Sequence, residues 1–506
     1  MKVTKDVIRK EYYQAISTAE KEILKKKYNN ALGYFEYAAR IAYRFPIISN
    51  FIDENIEKNL KIIAENKFSS YMFHPENDDK IVYYCSQLRD NGALVEQYLD
   101  YFIEREKQVL IIVPDIKETK NGEVIFSKIK NYNKIKLFIP CTKDKIQKIK
   151  EIREEIQKFK PDKAFLHFTP WDIIGFVTFS NLNIIPRFFI VHTDHTFWIG
   201  KNCADYFIEF RKFGIAISEK RREINRDKIF HIPFYPINNG KSFEGLPFDT
   251  CDKIIGISGA SLYKYYLDKN LTYFKIIAEL LRENINFIFC LCAISGNPSR
   301  IYQIFNNFGV QDRFFYLGDR KDFYNLVGNC NIFFESYPQK GGLSMLYAIE
   351  QKIPVIGIST QYNSSGSIQD FLEIKEYKEP ANFDEFKSLA NKLIKSSSFR
   401  DTIADKLIEN KYKKEYFTNS MDNLFKSKFK LIQIEDNINL ELNDEAYFDE
   451  ILQLPDANYG YLTRFKLRCN FIMSVRIKVL IEIFIFFRRY SFRDFFRLCL
   501  LDITGY

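Results

Sequence analysis

The sequence predicts an α/β protein with two parallel β-sheets that face a cleft. Apolar runs of strand length alternate with helical segments in two stretches, from Lys80 to Thr193 and again from Cys251 to Ser359. The 506 residues also exceed what one hydrophobic core usually organises, so two or three domains are expected.

Residues 1–72 are predicted to form helices. Apolar residues recur at helical spacing from Ala31 to Ala42, and Pro46 closes that segment. Small alanines on one helix face permit close contact, so the segment resembles one tetratricopeptide (TPR)-like helix pair. The alternative interpretation is an ordinary helical cap on the domains that follow.

Residues 78–245 are predicted to form a first Rossmann-like domain. Its expected strands are KIVYYC, QVLIIVPD, KIKLFIP, KAFLHF and RFFIVHT, separated by polar or helical segments. Strands connected in this way usually pair in parallel, with helices on both faces of the sheet.

Residues 250–435 are predicted to form a second Rossmann-like domain. The strands KIIGISG, NFIFCLC, RFFYLG, NIFFES and IPVIGIS alternate with helices more regularly than any other part of the chain. Two such sheets in series leave a cleft at the carboxyl ends of their strands, where ligands usually bind.

Residues 440–506 are predicted to form a helical, basic tail. From Arg464 to Arg497, basic residues recur in an apolar, phenylalanine-rich background. No uninterrupted apolar run reaches the length that crosses a bilayer. The two alternatives are amphipathic helices that lie on an anionic membrane surface and helices that fold back onto the domains.

Composition restricts the classes of partner and cofactor. The net charge of +9, from 74 basic and 65 acidic residues, is modest for this length, so a nucleic-acid partner is not expected. The nine cysteines are scattered and show no zinc-ligand spacing, so neither a disulfide framework nor a metal is expected. The N-terminus MKVTKDVIRKEYYQ lacks the apolar core of a secretory signal, which predicts a cytoplasmic location.

The clearest candidate site is the segment FFESYPQKGGLSMLYAIEQKIPVIGI, residues 333–358, in which a buried strand runs into a Gly-Gly turn that opens a helix. Glycines let backbone N–H groups approach an anion, and a helix N-terminus adds partial positive charge. Gly341, Gly342 and Ser344 are therefore predicted to cradle a diphosphate, and Lys340 to add a formal charge. The alternative is a strand-to-helix turn without a ligand.

This segment resembles the donor-phosphate region of GT-B glycosyltransferases, in which a glycine turn precedes a helix and a small-x-Pro-Val-Ile strand follows. The stretch IIGISGASLYKYYLDKNLTYFKIIAELLRENINFIFCL resembles O-GlcNAc transferase and related bacterial transferases, which place Leu-Tyr-Lys between a strand and a helix. The resemblance implies a GT-B fold and a nucleotide-sugar donor as substrate. It also implies that Lys264 is the cation that contacts the nucleotide diphosphate.

One position departs from the family pattern. Many GT-B enzymes carry an acidic residue in the helix after the glycine turn, where it holds the ribose hydroxyls, and Tyr347 stands at that position. Glu350, one turn further on, and Glu335, at the end of the preceding strand, are the candidate substitutes. The expected identity of the nucleotide, UDP, depends on this recognition.

A second candidate site lies in RFFIVHTDHTFWIGKNCADYFIEF, where His192 and His195 bracket Asp194 just after an apolar strand. An inverting transfer needs a base that takes the acceptor proton, and a histidine oriented by a carboxylate suits this role. His195 is predicted as the base, with Asp194 or Asp205 as the orienting carboxylate and His192 as second choice. The alternatives are a metal pair, which the His-x-x-His spacing disfavours, and a structural histidine.

Four further residues are weaker candidates. Asn91 and Gly92 follow the first strand, where GT-B enzymes commonly bring a loop to the donor or acceptor, and the alternative is a plain turn. Trp171 and Trp198 are candidates for an acceptor cleft, because aromatic faces stack on sugar rings, with core packing as the alternative.

These features predict a metal-independent glycosyltransferase without cofactors. It would transfer a hexose or N-acetylhexosamine from UDP to a surface glycan such as lipooligosaccharide or capsule. A protein glycosyltransferase is the alternative within the class. A non-catalytic nucleotide-sugar-binding scaffold and an epimerase on the same fold are the alternatives from other classes.

Overall fold

The computed structural model describes residues 4–45, 51–75, 80–90, 94–119, 122–191, 193–238, 240–294, 296–359, 368–372, 374 and 377–426. The first half of the chain contains α1 (Lys5–Leu24), α2 (Tyr28–Arg44), α3 (Glu54–Lys67), β1 (Lys80–Cys85), α4 (Val95–Glu104), β2 (Gln108–Ile112), α5 (Glu123–Asn131), β3 (Ile135–Phe138), α6 (Lys145–Phe159), β4 (Lys163–His167), α7 (Ile173–Phe179), β5 (Arg187–Ile190), β6 (Tyr206–Glu209), α8 (Lys212–Lys220) and β7 (Ile229–His231). The second half contains β8 (Ile254–Ser261), α9 (Leu262–Tyr266), α10 (Thr272–Glu283), β9 (Phe287–Ile294), α11 (Ser299–Asn307), β10 (Phe314–Tyr316), α12 (Phe323–Gly328), β11 (Ile332–Phe334), α13 (Gly342–Glu350), β12 (Val355–Ile356), α14 (Phe383–Lys395), α15 (Ser397–Glu409) and α16 (Lys414–Phe425).

Two parallel sheets organise the chain, as the sequence predicts. The first has seven strands in the order β3-β2-β1-β4-β5-β6-β7, and the second has five in the order β10-β9-β8-β11-β12. The short strands β6 and β7 extend the first sheet beyond the predicted runs. The strand order reverses between β1 and β4 and again between β8 and β11, and ligands usually bind beyond the carboxyl ends of strands at such points.

The strands read as nearly continuous apolar runs because helices cover both faces of each sheet. Every residue of β9 except Ile294 is buried. β8 and β9 pair in register from Ile254 opposite Phe287 to Ser261 opposite Ile294. This long central pair fixes where β8 ends, and with it the position of the chain that follows.

The three N-terminal helices share a hydrophobic core with the first sheet. Phe35 of α2 and Leu60 of α3 belong to the same buried cluster as Leu110 of β2 and Phe176 of α7. A cap on the first domain, the alternative interpretation of this segment, accounts for this shared core. The TPR-like interpretation stays a prediction.

Glu57 of α3 anchors the cap. Its carboxylate accepts hydrogen bonds from the backbone N–H groups of Gly200 (2.6 Å), Lys201 (3.1 Å) and Asn202 (2.8 Å). Burial raises the pKa of Glu57 to about 7, although these hydrogen bonds oppose the shift. The neighbouring Glu54 is more exposed and pairs with Lys201 at 2.8 Å.

The last described helix, α16, packs on the first domain although it follows the second in sequence. Phe417 lies with its ring centroid 5.3 Å from that of Tyr98. Arg105 donates two hydrogen bonds, of 2.8 and 2.7 Å, to the carboxylate of Asp422. The chain therefore crosses back between the domains before the predicted tail, residues 440–506, which lies outside the described residues. Among the residues described here, no helix is long and apolar enough to span a membrane.

The hydrogen bonds of Glu57 lead to a prediction about the stability of the protein. Glu57→Ala leaves three backbone donors without their carboxylate, so we expect the free energy of unfolding to fall by about 2–4 kcal/mol in urea denaturation. Glu54→Ala is the matched control and should change it by less than about 0.5 kcal/mol, because the Glu54 side chain is 59% exposed and water screens its ion pair. Equal effects of the two substitutions would contradict the anchoring role of Glu57.

Candidate functional site

The loops after β8 and β11 meet at the point where the strand order of the second sheet reverses. β8 ends at Ser261, and Lys264 lies in the short helix α9 that follows directly. β11 ends at Phe334, and the chain then makes the glycine turn before α13. β8 and β11 are parallel neighbours, so both loops leave the same edge of the sheet.

Lys264 lies against the glycine turn. Its Nζ donates a hydrogen bond of 2.9 Å to the carbonyl oxygen of Lys340. A Cβ placed at Gly341 would be 3.4 Å from this ammonium group and 3.8 Å from Glu335 Oε1. Burial lowers the pKa of Lys264, and the nearby Glu335 opposes this shift. Lys264 and the turn, which are far apart in sequence, thus form one structural unit.

The start of α13 differs in detail from the predicted cradle. The N–H group of Gly341 donates to Glu335 Oε1 at 2.7 Å, so this amide is already engaged inside the protein. Ser344 Oγ donates to the carbonyl of Gly341 at 3.0 Å. A Cβ on Gly342 would lie 2.4 Å from the ring of Phe371, so close packing requires glycine there. The backbone N–H groups from Gly342 to Ser344, at the N-terminus of α13, are therefore the groups of this turn that can face an anion.

Glu335 is a buried carboxyl group beside Lys264. Its side chain is 2% exposed, and Oε2 has no hydrogen-bond partner within the described residues. Burial raises the pKa of Glu335 to about 7, against the hydrogen bond from Gly341 and the charges of Lys340 and Lys264. A carboxyl group with this pKa is partly protonated near neutral pH and can accept or donate a hydrogen bond.

Lys340, which the sequence predicts to add a formal charge to the cradle, is engaged in an ion pair, and its contribution to the cradle stays a prediction. Its Nζ lies 2.5 Å from Glu379 Oε1, and both side chains are 3% exposed. Glu379 also accepts a hydrogen bond of 3.2 Å from the N–H group of Ile368. The ammonium group of Lys340 is therefore held in a buried ion pair that ties the turn to the segment around Ile368.

Tyr347 faces other aromatic rings and the first domain. Its ring centroid lies 5.3 Å from that of Tyr324. Burial raises the pKa of Tyr347, and the carboxylate of Glu96 in α4 adds to the shift. Glu350, one candidate substitute for the ribose acid, forms an ion pair with Lys411 instead. Recognition of ribose by Tyr347 or Glu335 stays a prediction.

Asp194 and His195 lie beyond the carboxyl end of β5, beside β6. Arg211 donates to both oxygens of the buried Asp194, from Nε at 2.5 Å and from Nη2 at 2.6 Å. Although burial alone would raise the pKa of Asp194, Arg211 and His195 hold it well below its usual range. The Nδ1 atom of His195 lies 3.2 Å from Asp194 Oδ1, and this imidazole is 34% exposed. An ionised Asp194 favours a proton on Nδ1, which leaves Nε2 to accept one.

The other predicted residues of the first domain lie elsewhere. Asp205 pairs with Arg187 at 2.9 Å at the amino ends of β5 and β6, so it does not orient His195. Trp198 is 2% exposed and stacks on Phe189 at 4.7 Å, which places it in the core rather than in an acceptor cleft. The guanidinium of Arg40 lies 4.5 Å from the ring centroid of Trp171, so Trp171 packs against the helical cap.

Three predicted residues, His192, Asn91 and Gly92, lie outside the described residues. Among those that are described, no group of three or more His, Cys, Asp or Glu side chains is arranged to hold a metal ion. The seven cysteines in the same ranges form no disulfide.

Two residues of the site, Arg211 and Asp370, were missed from the sequence. Arg211 comes just after the apolar strand YFIEF, so its charge at a strand end is a signal that sequence reasoning can use. Asp370 lies in a 3₁₀ turn, Ile368–Phe371, within a segment that has no periodic pattern. Nothing in the local sequence indicates that this turn meets the first domain.

The raised pKa of Glu335 makes a prediction about pH. The folded protein keeps the Glu335 proton up to about pH 7, whereas the unfolded chain releases it near the ordinary pKa of 4.5. The bound proton therefore stabilises the folded protein at low pH, and this stabilisation is lost as the pH rises through 7. Glu335→Gln mimics the neutral carboxyl group and keeps an acceptor for Gly341. We expect the fall in unfolding free energy between about pH 5 and about pH 8 to be smaller in this variant. Urea unfolding across that range measures it, and parallel curves for both proteins would contradict the assignment.

The comparisons with known proteins bear on the fold. No protein-family model matches the chain, and no curated protein sequence matches it. Solved structures do. A glycosyltransferase from Rickettsia africae is similar with a TM-score of 0.54 at 14% identity, over 70% of this chain and 99% of that one.

Two further similar structures contain bound nucleotides. TarM of S. aureus, solved with fondaparinux, alpha-GlcNAc-glycerol and UDP, has a TM-score of 0.51 at 12% identity, over 69% of this chain and 99% of that one. HepE of Anabaena, solved with UDP-glucose, has a TM-score of 0.50 at 12% identity, over 68% and 99%. The chain therefore has the GT-B fold of these glycosyltransferases, as the sequence predicts.

Proposed function

We propose that this protein is a glycosyltransferase that moves a hexose or N-acetylhexosamine from UDP to a hydroxyl group of a surface glycan such as lipooligosaccharide or capsule. The observation that carries the proposal is the contact between Lys264 Nζ and the carbonyl of Lys340, which brings an ammonium group to the N-terminal end of α13. The similar structures of TarM and HepE, solved with UDP and with UDP-glucose, support a UDP-sugar donor.

The second domain stabilises the leaving group. As the bond between the anomeric carbon and the diphosphate oxygen breaks, its electron pair stays on UDP. The developing negative charge is met by the ammonium group of Lys264 and by the amides at the start of α13. These groups are fixed before reaction, because Lys264 is held by the turn itself. The chain's own residues therefore stabilise the departing charge.

The first domain activates the acceptor. The acceptor oxygen attacks the anomeric carbon from the side opposite UDP and forms the new glycosidic bond with inversion. Its proton passes to Nε2 of His195, and the ionised Asp194 stabilises the resulting imidazolium. The complex of TarM contains alpha-GlcNAc-glycerol together with UDP, which supports a hydroxyl group as the acceptor, and the surface glycan is the finer part of the proposal.

The role of Lys264 is tested by donor binding and turnover. Loss of a charge-assisted contact to the diphosphate should weaken UDP binding and slow UDP-glucose hydrolysis by about 10–100-fold in Lys264→Ala. Thermal shift with UDP and release of glucose measure the two effects. The control is Lys269→Ala, because Lys269 is exposed on the same domain. Unchanged UDP binding in Lys264→Ala would contradict the proposed site, and tight binding without any turnover in the wild type would indicate a scaffold.

The role of His195 is tested by the rate at saturating donor. With water as the acceptor, His195→Ala should lower kcat about 100-fold and leave the UDP thermal shift unchanged, because general-base catalysis acts only on the chemical step. His74→Ala, which alters an exposed histidine of the N-terminal part, is the control. A kcat within about twofold of wild type would identify His195 as a structural residue.

A further inference from the structure

Arg211 connects the two domains through two carboxylates. Its bidentate contact to Asp194 lies within the first domain, and its Nη1 atom lies 3.7 Å from Asp370 Oδ2 of the second domain. Asp370 also accepts a hydrogen bond of 2.9 Å from the N–H group of Phe213, the second residue of α8. The Arg211 side chain is 4% exposed, so all these contacts are shielded from bulk water.

The segment that carries Asp370 is seated on the glycine turn. The guanidinium of Arg211 lies 5.1 Å from the ring centroid of Phe371. The same ring fills the space in which a side chain on Gly342 would stand. A continuous line of packed groups therefore runs from the first residue of α13 through Phe371 to Arg211 and Asp194.

A second connection joins the same two regions. The N–H group of Ile368 donates to Glu379, and Glu379 pairs with Lys340. The carbonyl of Lys340 in turn accepts the hydrogen bond from Lys264. Both ends of the turn Ile368–Phe371 are thus attached to the glycine turn.

The pairing of Asp370 with Arg211 depends on where the Asp370 carboxylate lies. Asp370 is buried, and its Oδ2 atom has no hydrogen-bond partner among the described residues, so the charge of Arg211 is its main compensation. Burial raises the pKa of Asp370 to about 6, and Arg211 opposes that shift. Because a buried charge is costly unless it is paired, a displacement of Asp370 changes the balance of forces on Arg211 and therefore on Asp194.

We infer that Arg211 is a positioning residue that aligns His195 according to the placement of the glycine turn. The turn Ile368–Phe371 holds Arg211 through Asp370, and Arg211 holds Asp194 in the orientation that His195 needs. Binding of the donor at the glycine turn and alignment of the base on the other domain are therefore linked. This inference rests on the proposed function, and it adds Arg211 and Asp370 as residues that act through Asp194 and not by touching substrate.

Asp370→Asn is the sharpest test, because asparagine keeps an acceptor for Phe213 and removes only the charge that faces Arg211. We expect kcat for UDP-glucose hydrolysis to fall about tenfold, while the KM for UDP-glucose and the UDP thermal shift stay within about twofold of wild type. Arg211→Lys, which keeps the charge but loses the bidentate geometry, should act in the same direction. Asp422→Asn is the matched control, since it breaks an arginine–carboxylate pair between α16 and the first domain that lies outside the site.

A double-mutant cycle shows whether the effect passes through the base. If it does, Asp370→Asn introduced into His195→Ala should cause less than about a twofold further loss of kcat. A full further tenfold loss in that background, or a parallel loss of UDP binding, would overturn the inference.

The imidazole signals in NMR spectra provide a readout that does not depend on turnover. The signal of His195, assigned by its absence in His195→Ala, should shift in Asp370→Asn, and that of His74 should not. An unshifted His195 signal would also overturn the inference. Failure of the proposed function has a different signature, namely a wild-type protein that binds no UDP and hydrolyses no UDP-sugar.

Discussion

The hydrogen bond between Lys264 and the carbonyl of Lys340 depends on the topology of the second sheet. Because β8 and β11 are parallel neighbours at the point where strand order reverses, the loops that follow them leave the sheet side by side. The long pairing of β8 with β9 fixes the end of β8. A cation and a helix N-terminus are thereby brought together at one edge of the second sheet, an arrangement that suits a diphosphate.

The first domain is organised around a buried group of charged side chains. Its buried polar groups gather around Arg211, which neutralises Asp194 and faces Asp370 across the boundary between the domains. The domain itself is braced from outside by the helical cap, through Glu57, and by α16, through Asp422.

The sequence predicted the parts of this architecture that depend on periodicity. Strand-length apolar runs separated by helices implied both parallel sheets. A strand end indicated Asp194 and His195 as candidate site residues, the family resemblance indicated Lys264, and the roles of all three stay predictions. It could not predict pairings between distant residues. Lys340 appeared to be a free cation because its partner Glu379 lies 39 residues away, and Asp370 belongs to a turn that only the packing of two domains brings to Arg211. The sequence also left open whether Trp198 lines a cleft or packs in the core, because the burial of an aromatic ring depends on tertiary contacts.

The central claim is that the start of α13 and Lys264 hold the diphosphate of a UDP-sugar. A crystal structure of the protein with UDP tests this most directly. The account predicts phosphate oxygens within hydrogen-bonding distance of Lys264 Nζ and of the amides from Gly342 to Ser344. UDP bound elsewhere in the cleft, with Lys264 still bonded only to the carbonyl of Lys340, would contradict it.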